Sequence, residues 1–241
     1  MKFRKVLTSS GLALILGIGM IPSVAANTPS TGSSKTSVGF TKGTSAVDPV
    51  DPLDPVNPNP DPDPDGPTGN IGPLTLDYAP RLDFGIHEVS SKTENYKATS
   101  MKPYIQVTDR RGTFQGWTVT AYASPLINTS TSSPLIGADI TFTNSKAERG
   151  FIASGSPDAL GGAPEALETF KLPADGKEEG AITVLSASYE QGIGTWIDKW
   201  LPNETEGAIN NSVTLKVPGG VAQEGSYTGT IKWTLESTPN P

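Results

Sequence analysis

The chain has 241 residues, of which 18% are charged, 35% hydrophobic and 7% aromatic, with no cysteine and one histidine. This composition excludes a disulfide framework and a cysteine nucleophile, and it leaves only His87 for a histidine-dependent metal site or catalytic triad. The formal net charge of -7 and the pI near 4.8 argue against electrostatic binding to nucleic acid or anionic lipid.

Residues 1–26 are predicted to be a secretory signal peptide. Lys2, Arg4 and Lys5 form a basic start, an apolar run follows from Gly11 to Ile21, and small residues suited to cleavage close the segment. This run is shorter than the ~20 helical residues that cross a bilayer, so we expect export and release without a membrane span. An exported chain of this length without cysteine is more typical of Gram-positive surface proteins than of eukaryotic secreted domains.

Residues 27–69 are predicted to be a disordered segment followed by an extended spacer. Residues 27–47 are rich in Ser, Thr and Gly, so that ordering them would bury little apolar surface. Residues 48–67 contain eight prolines and six aspartates in a near-repeat of Asp-Pro. Proline restricts its own backbone and that of the preceding residue to extended conformations, and the aspartates repel one another. This stretch therefore indicates an acidic spacer.

Residues 70–241 are predicted to fold as one all-β domain. Short stretches alternate between apolar and polar residues, which is typical of strands with one buried face. Helical spacing occurs only in two short candidates, Pro164–Phe170 and Thr195–Leu201. The pattern favours a β-sandwich of antiparallel sheets. The alternating stretches are Leu74–Tyr78, Tyr104–Thr108, Trp117–Ala121, Ile136–Phe142, Ile182–Val184, Val213–Val217 and Ile231–Leu235.

Two of these stretches carry a tryptophan and an aliphatic residue two positions apart. Trp117 and Val119 are separated by one threonine, and so are Trp233 and Leu235. Because side chains two apart on a strand point to the same side of the sheet, each pair is expected to share one face. Threonine or lysine takes the other face.

This pair of motifs resembles the WxL domain of Gram-positive surface proteins, and the similarity covers residues 72–241. Three flanking strings support it: LDFG at 82–85, QVTDRRG at 106–112 and GSYTG at 225–229. The first motif departs from the family by ending in Val119 where leucine is usual. The resemblance implies non-covalent attachment to peptidoglycan at the cell wall. It also implies a membrane-anchored WxL-interacting protein and other WxL surface proteins as partners.

Six side chains are candidates for contact with the wall or a partner protein. For Trp117 and Trp233, the same-face aliphatic neighbours favour a core position, with stacking on sugar rings as the alternative. Trp196 and Trp200 lie four apart in a predicted loop or single helical turn, where they either bind a ligand or cap one end of the sandwich. The six candidates are Trp117, Val119, Trp233, Leu235, Trp196 and Trp200.

No catalytic, metal or cofactor site is predicted. The scattered carboxylates, among them Asp139 and Asp198, show no spacing typical of a glycosidase and are expected on the solvated surface. The string LPNET at 201–205 lacks the threonine and the following apolar segment of a sortase signal. We therefore expect a non-catalytic wall-binding protein that takes part in surface protein assembly. The alternative is a protein-binding module or adhesin that docks to a WxL-interacting protein or a host matrix protein.

Overall fold

The computed structural model describes residues 30–151, 162–202 and 209–237. The predicted signal peptide, residues 1–26, lies outside the described residues. The chain divides into two compact units, residues 1–39 and residues 40–241, and the second contains every strand given below. Across the described ranges, no helix is long and apolar enough to cross a membrane.

The second unit is built almost entirely of β-strands, as the alternating sequence pattern predicts. Its one helical element in the described part is a single 3-10 turn at Glu178–Gly180. The strands are β1 (Val50–Asp51), β2 (Asp54–Pro58), β3 (Leu74–Tyr78), β4 (Glu94–Ala98), β5 (Tyr104–Asp109), β6 (Trp117–Ala123), β7 (Ile127–Asn128), β8 (Asp139–Phe142), β9 (Lys146–Arg149), β10 (Glu165–Ala166), β11 (Phe170–Pro173), β12 (Ile182–Ala187), β13 (Gly194–Lys199), β14 (Asn210–Val217), β15 (Tyr227–Thr228) and β16 (Ile231–Ser237).

Three four-stranded antiparallel sheets form the body of the domain. The motif sheet has the strand order β10-β12-β6-β16, the second sheet β11-β8-β14-β4 and the third sheet β3-β5-β13-β9. Two short ribbons, β1-β2 and β15-β7, accompany them. Most neighbours in a sheet are distant in sequence, so the fold depends on long-range pairing that a local pattern does not reveal.

One hydrophobic cluster joins the inner faces of all three sheets. It includes Trp117 of the motif sheet, Phe142 and Leu172 of the second sheet, and Ile105 and Val107 of the third. Fully burying an aliphatic or phenylalanine side chain contributes ~1.5–3 kcal/mol. The antiparallel all-β architecture and this shared core confirm the predicted β-sandwich-like fold.

The two short segments that the sequence left as helical candidates are strands. Thr195–Leu201 overlaps β13, which pairs with β5 on one side and β9 on the other. Pro164–Phe170 contains β10 and the first residue of β11. A spacing of four places two side chains on one face of a strand as well as of a helix, so such short segments are ambiguous from periodicity alone.

The Asp-Pro segment differs from the extended spacer that the sequence predicts. Strands β1 and β2 pair as an antiparallel ribbon, and the Asn59 amide donates to the Pro49 carbonyl at 2.8 Å. Val50 is fully buried, and the compact unit starts at residue 40 rather than 70. The segment packs on the domain because its prolines leave backbone carbonyl acceptors free, and side chains of the third sheet supply donors to them. Residues 30–47 contain no strand or helix.

Candidate functional site

The two motif strands are neighbours in the motif sheet. Strands β6 and β16 pair antiparallel, with Val119 opposite Leu235 and Ala121 opposite Trp233. Directly opposite residues of an antiparallel pair point to the same side of the sheet. The tryptophan and aliphatic residues of both motifs therefore share the inner face, as the spacing of two predicts.

Trp117 is fixed in the core by packing and by one hydrogen bond. The indole is fully buried, and its Nε1 donates to the Gly192 carbonyl at 3.1 Å. Gly192 has a φ of +67°, and a Cβ at this position would lie 2.8 Å from the indole ring. Glycine is required there both by the left-handed backbone and by the close approach of the ring. The first tryptophan of the motif pair thus supports the fold.

The second motif tryptophan belongs to an aromatic cluster. The rings of Trp233 and Trp200 stack with centroids 5.7 Å apart, and Phe142 meets both rings edge-on at 6.0 and 4.8 Å. Phe170 stacks on Phe142 at 4.6 Å. Offset and edge-to-face pairs of this kind contribute ~0.5–1.5 kcal/mol each beyond area burial. Of the six predicted site residues, the structure therefore brings Trp200 and Trp233 into direct contact.

Trp196 lies on strand β13 rather than in a loop or helical turn. Its indole is 8% exposed, its Nε1 donates to the Ile193 carbonyl at 3.0 Å, and the Arg149 guanidinium lies 5.9 Å from the ring centroid. Trp200 directly follows the same strand and is fully buried.

Four of the six predicted residues are thus core residues, and two keep part of their surface. Trp117, Val119, Trp196 and Trp200 are buried, while Trp233 and Leu235 are half-buried. A buried ring offers no face on which a sugar could stack. The geometry favours the core interpretation of the motif tryptophans over the contact interpretation.

The outer face of the motif sheet has the opposite chemistry, and we call it the threonine face. Thr183, Thr120 and Thr234 form one row across three strands, because Thr120 lies opposite both of the others. Every member is exposed or half-buried. The other members are Thr118 and Tyr122 of β6, Ser186 of β12, and Lys232 and Glu236 of β16.

Tyr122 marks one end of the threonine face. Its ring lies 5.6 Å from Lys232 Nζ, which donates to Glu178 at 2.9 Å, and this hydrogen bond raises the pKa of Lys232. Beside the ring is a cleft of about 140 Å³. The end of the face thus combines an aromatic ring with charges of both signs. The cleft is lined by Tyr122, Leu172, Pro173, Asp175, Lys177, Glu179 and Gly180.

Two carboxylates that were expected on the solvated surface, Asp139 and Asp198, are buried. Asp198 has no exposed surface, and it accepts a hydrogen bond from Ser145 Oγ at 2.5 Å through Oδ1. Burial raises the pKa of Asp198 to about 7, and the hydrogen bonds only partly offset that effect. Asp139 is also buried and pairs with Lys216 at 3.4 Å. The sequence feature that could have indicated the burial of Asp198 is its position midway between Trp196 and Trp200, which lie on the same side of the strand.

His87 is exposed and has a local structural role. Its ring stacks on Tyr96 with centroids 4.0 Å apart, and Nε2 lies 2.5 Å from the Phe84 carbonyl. Across the described residues, no three histidine or acidic side chains are grouped so that they could hold a metal ion.

The fold and these surfaces define an antiparallel β domain with a closed aromatic core and a hydroxyl-rich outer face. The family model described as "WxL domain surface cell wall-binding" matches residues 27–239, so the chain belongs to the WxL family. A wall-binding role at the cell surface follows from this membership, and the family is not a catalytic one. The match begins upstream of the Asp-Pro segment. Neither the curated proteins nor the solved structures give a match.

Proposed function

We propose that this chain is a secreted, non-catalytic protein that attaches to peptidoglycan without a covalent bond and takes part in surface protein assembly. The observation that carries the proposal is the division of the motif sheet: its inner face holds the motif tryptophans, and its outer face presents the row Thr183, Thr120 and Thr234. The family description supplies the wall as the target. The threonine face is the surface through which we propose that the domain binds.

Strand spacing fits a glycan that lies across the motif sheet. Neighbouring strands are ~4.7–4.9 Å apart, a spacing close to the advance per single sugar, and not per disaccharide repeat, of an extended β-1,4-linked chain. Hydroxyls donate and accept, as sugar hydroxyls do, so each row of side chains can pair with successive sugars. Tyr122 adds a ring on which one sugar can stack. Because a single hydrogen bond contributes only ~0.5–1.5 kcal/mol net, binding would depend on several of them together.

The charge of the chain predicts an unusual salt dependence. The chain carries a formal charge of -7, and a bacterial wall is itself polyanionic, so long-range electrostatics oppose the contact. Salt screens such repulsion over ~8–10 Å. Retention on the wall should therefore persist or increase at high salt, in contrast to a protein that is held by basic residues.

The test is co-sedimentation of the mature chain with peptidoglycan freed of teichoic acid and protein, at low and high salt. The variant T118V/T120V/T234V removes three hydroxyls of the threonine face with little change in side-chain size. The control T141V/T214V removes two hydroxyls from a cross-strand pair on the outer side of the second sheet. We expect the first variant to lose at least about tenfold in retention and the second to bind normally. Equal retention of both, or release of soluble muropeptides, would contradict the proposal.

A second candidate function is a protein-docking module, with wall retention indirect. It is favoured by the position of β16 as the outer strand of the motif sheet in the described part of the chain. An outer strand can pair with a strand of another protein through its backbone. The partner would be a membrane-anchored WxL-interacting protein, another WxL surface protein or a host matrix protein. Failure of the purified chain to sediment with peptidoglycan, together with capture by such a partner, would favour this function.

A further inference from the structure

A groove on the third sheet holds the chain's own Asp-Pro segment, and we call it the Val50 groove. The Val50 side chain is fully buried and packs with Tyr78, Tyr104 and Ile197. The two tyrosine rings stack with centroids 4.1 Å apart and an interplanar angle of 8°. A Cβ on Gly150 would lie 3.1 Å from Val50 Cγ1, so this side of the groove is also closely fitted. The groove is formed by Tyr78, Tyr104, Gln106, Gly150, Phe151, Ile197 and Lys199.

Hydrogen-bond donors of the domain bind four backbone carbonyls along the segment. The Val50 amide is also bound, because it donates to Gln106 Oε1 at 2.8 Å. Gln106 thus contacts the segment with both of its amide atoms, as a neighbouring strand would with its backbone. The four carbonyl contacts are Gln106 Nε2 to Asp48 at 3.1 Å, Tyr104 Oη to Val50 at 2.9 Å, Lys199 Nζ to Pro52 at 2.8 Å, and the Phe151 amide to Pro55 at 2.8 Å.

The recognition side chain Gln106 is held in place from behind. It is fully buried, and its Nε2 also donates to Asp77 Oδ2 at 3.1 Å. Thr108 Oγ1 donates to the same Asp77 oxygen at 2.6 Å, and Thr75 Oγ1 donates to Asp77 Oδ1 at 2.6 Å. A side chain that is already oriented loses little conformational entropy on binding, so the groove is preorganised for an extended peptide.

The chemistry of the groove matches an acidic, proline-rich ligand. Proline removes backbone donors and leaves carbonyl acceptors, and the groove supplies mainly donors. A proline-rich segment is already extended, so that binding orders it at low entropic cost. One lysine adds charge complementarity, because Lys102 lies 3.7 Å from Asp51. Lys199 is paired with Glu148 of the domain at 2.5 Å and contributes a hydrogen-bond donor to the Pro52 carbonyl.

The groove also selects among similar units of the segment. Asp-Pro-Val occurs at residues 48–50 and again at 54–56, with Asp-Pro-Leu between them. Of the three aliphatic side chains only Val50 is buried, whereas Leu53 is 61% and Val56 is 41% exposed; Pro52 and Pro55 of the segment are buried as well. The groove therefore has one aliphatic pocket, and only one of the three aliphatic side chains that recur every three residues fills it.

We infer that the Val50 groove is a binding site for acidic, proline-rich peptides with an Asp-Pro-Val unit, occupied here by residues 48–58 of the same chain. The same segment of a second copy carries identical chemistry and can take its place. Exchange of the segment between two copies would link them at little cost in new contacts. This inference does not depend on wall binding.

The test uses the mature chain with a protease recognition sequence inserted between the exposed residues Pro60 and Asp61. The protein is allowed to fold, is then cleaved, and is passed over a size-exclusion column. We expect the N-terminal fragment to co-elute with the domain. A fluorescent peptide of residues 46–60 should displace it in a concentration-dependent way, and a labelled fragment should transfer to a second, unlabelled cleaved chain.

Two variants of the segment give the matched comparison. V50D places a charge in the apolar pocket and should weaken retention of the cleaved fragment by at least about tenfold, whereas V56D changes the exposed valine of the second unit and should leave it bound. Tryptophan fluorescence of the cleaved protein checks that the domain stays folded. Immediate separation of the unmodified fragment from a folded domain would overturn the inference. So would equal loss in both variants, or a fragment that stays bound but never exchanges.

Discussion

The two faces of the motif strands differ in chemistry although they alternate along the same few residues. On the inner face, Trp117 and Val119 are fully buried, and Trp233 joins the aromatic cluster. On the outer face, Thr118 and Thr120 are half-buried; Thr120 lies in a row of threonines, and Thr118 lies between Ser186 and Glu236. The residues by which the family is recognised therefore hold the sheet together, while the intervening positions form the proposed contact surface.

The largest expected effect is on the inner face. W117A removes a fully buried indole and its hydrogen bond to Gly192, so we expect a loss of ~3–5 kcal/mol in the free energy of unfolding. Denaturant titration followed by intrinsic fluorescence measures it. Y122A, on the outer face of the same strand, is the control and should change the free energy of unfolding far less. Similar losses in both variants would break the distinction between the two faces.

A smaller effect is expected from Asp198, the buried carboxylate on the core side of β13. The folded-state pKa of Asp198 is about 7, against 3.8 for the unfolded chain. A raised pKa means that its contribution is fully present below pH ~4 and is lost as the pH rises toward 7, so the protein should be ~2–3 kcal/mol less stable at pH 8 than at pH 5 from this group alone.

Unfolding titrations at the two pH values measure this difference, and D198N should remove most of it. D175N is the control, because Asp175 is exposed and its pKa is lowered by Lys177. An unchanged pH profile in D198N would show that the Asp198 carboxyl is not the group responsible.

A third and still smaller effect concerns the departure of this chain from the usual motif. Val119 is fully buried opposite Leu235 and Leu185. V119L restores the family's leucine but adds a methylene to a packed site, so we expect a cost of ~1–2 kcal/mol from overpacking. T118V, its outward neighbour, should stay within ~0.5 kcal/mol of the parent protein. Thermal or denaturant unfolding of the two variants compares them, and a stabilised V119L would show that the site has spare volume.

Sequence reasoning predicted the all-β class and the shared face of each motif, because period-two alternation is a local property. It did not predict that Val119 lies opposite Leu235, since the pairing of β6 with β16 joins distant parts of the chain. It missed the burial of Val50 for the same reason: the donors that bind the Asp-Pro segment, such as Gln106 and Lys199, come from other strands. The composition of the Asp-Pro segment predicts its conformation in isolation. Contacts with the third sheet give it a different structure.

The site shows a similar division. The six candidates, which are the two motif pairs and the two remaining tryptophans, are mostly core residues. For the threonine face, the sequence predicted only that threonine or lysine occupies the other side of the motif strands. Its rows depend on register between β12, β6 and β16, which includes a bulge between Thr183 and Leu185. Local sequence does not specify such a register.

The most direct test of the division between the faces is a paired measurement on Y122A and W117F. Each purified variant is assayed for its unfolding midpoint and for co-sedimentation with protein-free peptidoglycan. We predict that Y122A keeps its unfolding midpoint, since the Tyr122 ring lies on the outer face and not in the core. Its retention on peptidoglycan should fall several-fold. W117F should lower its midpoint while the folded protein still binds. A folded W117F that no longer sediments, beside a Y122A that sediments normally, would contradict the account and place the contact at the motif tryptophan.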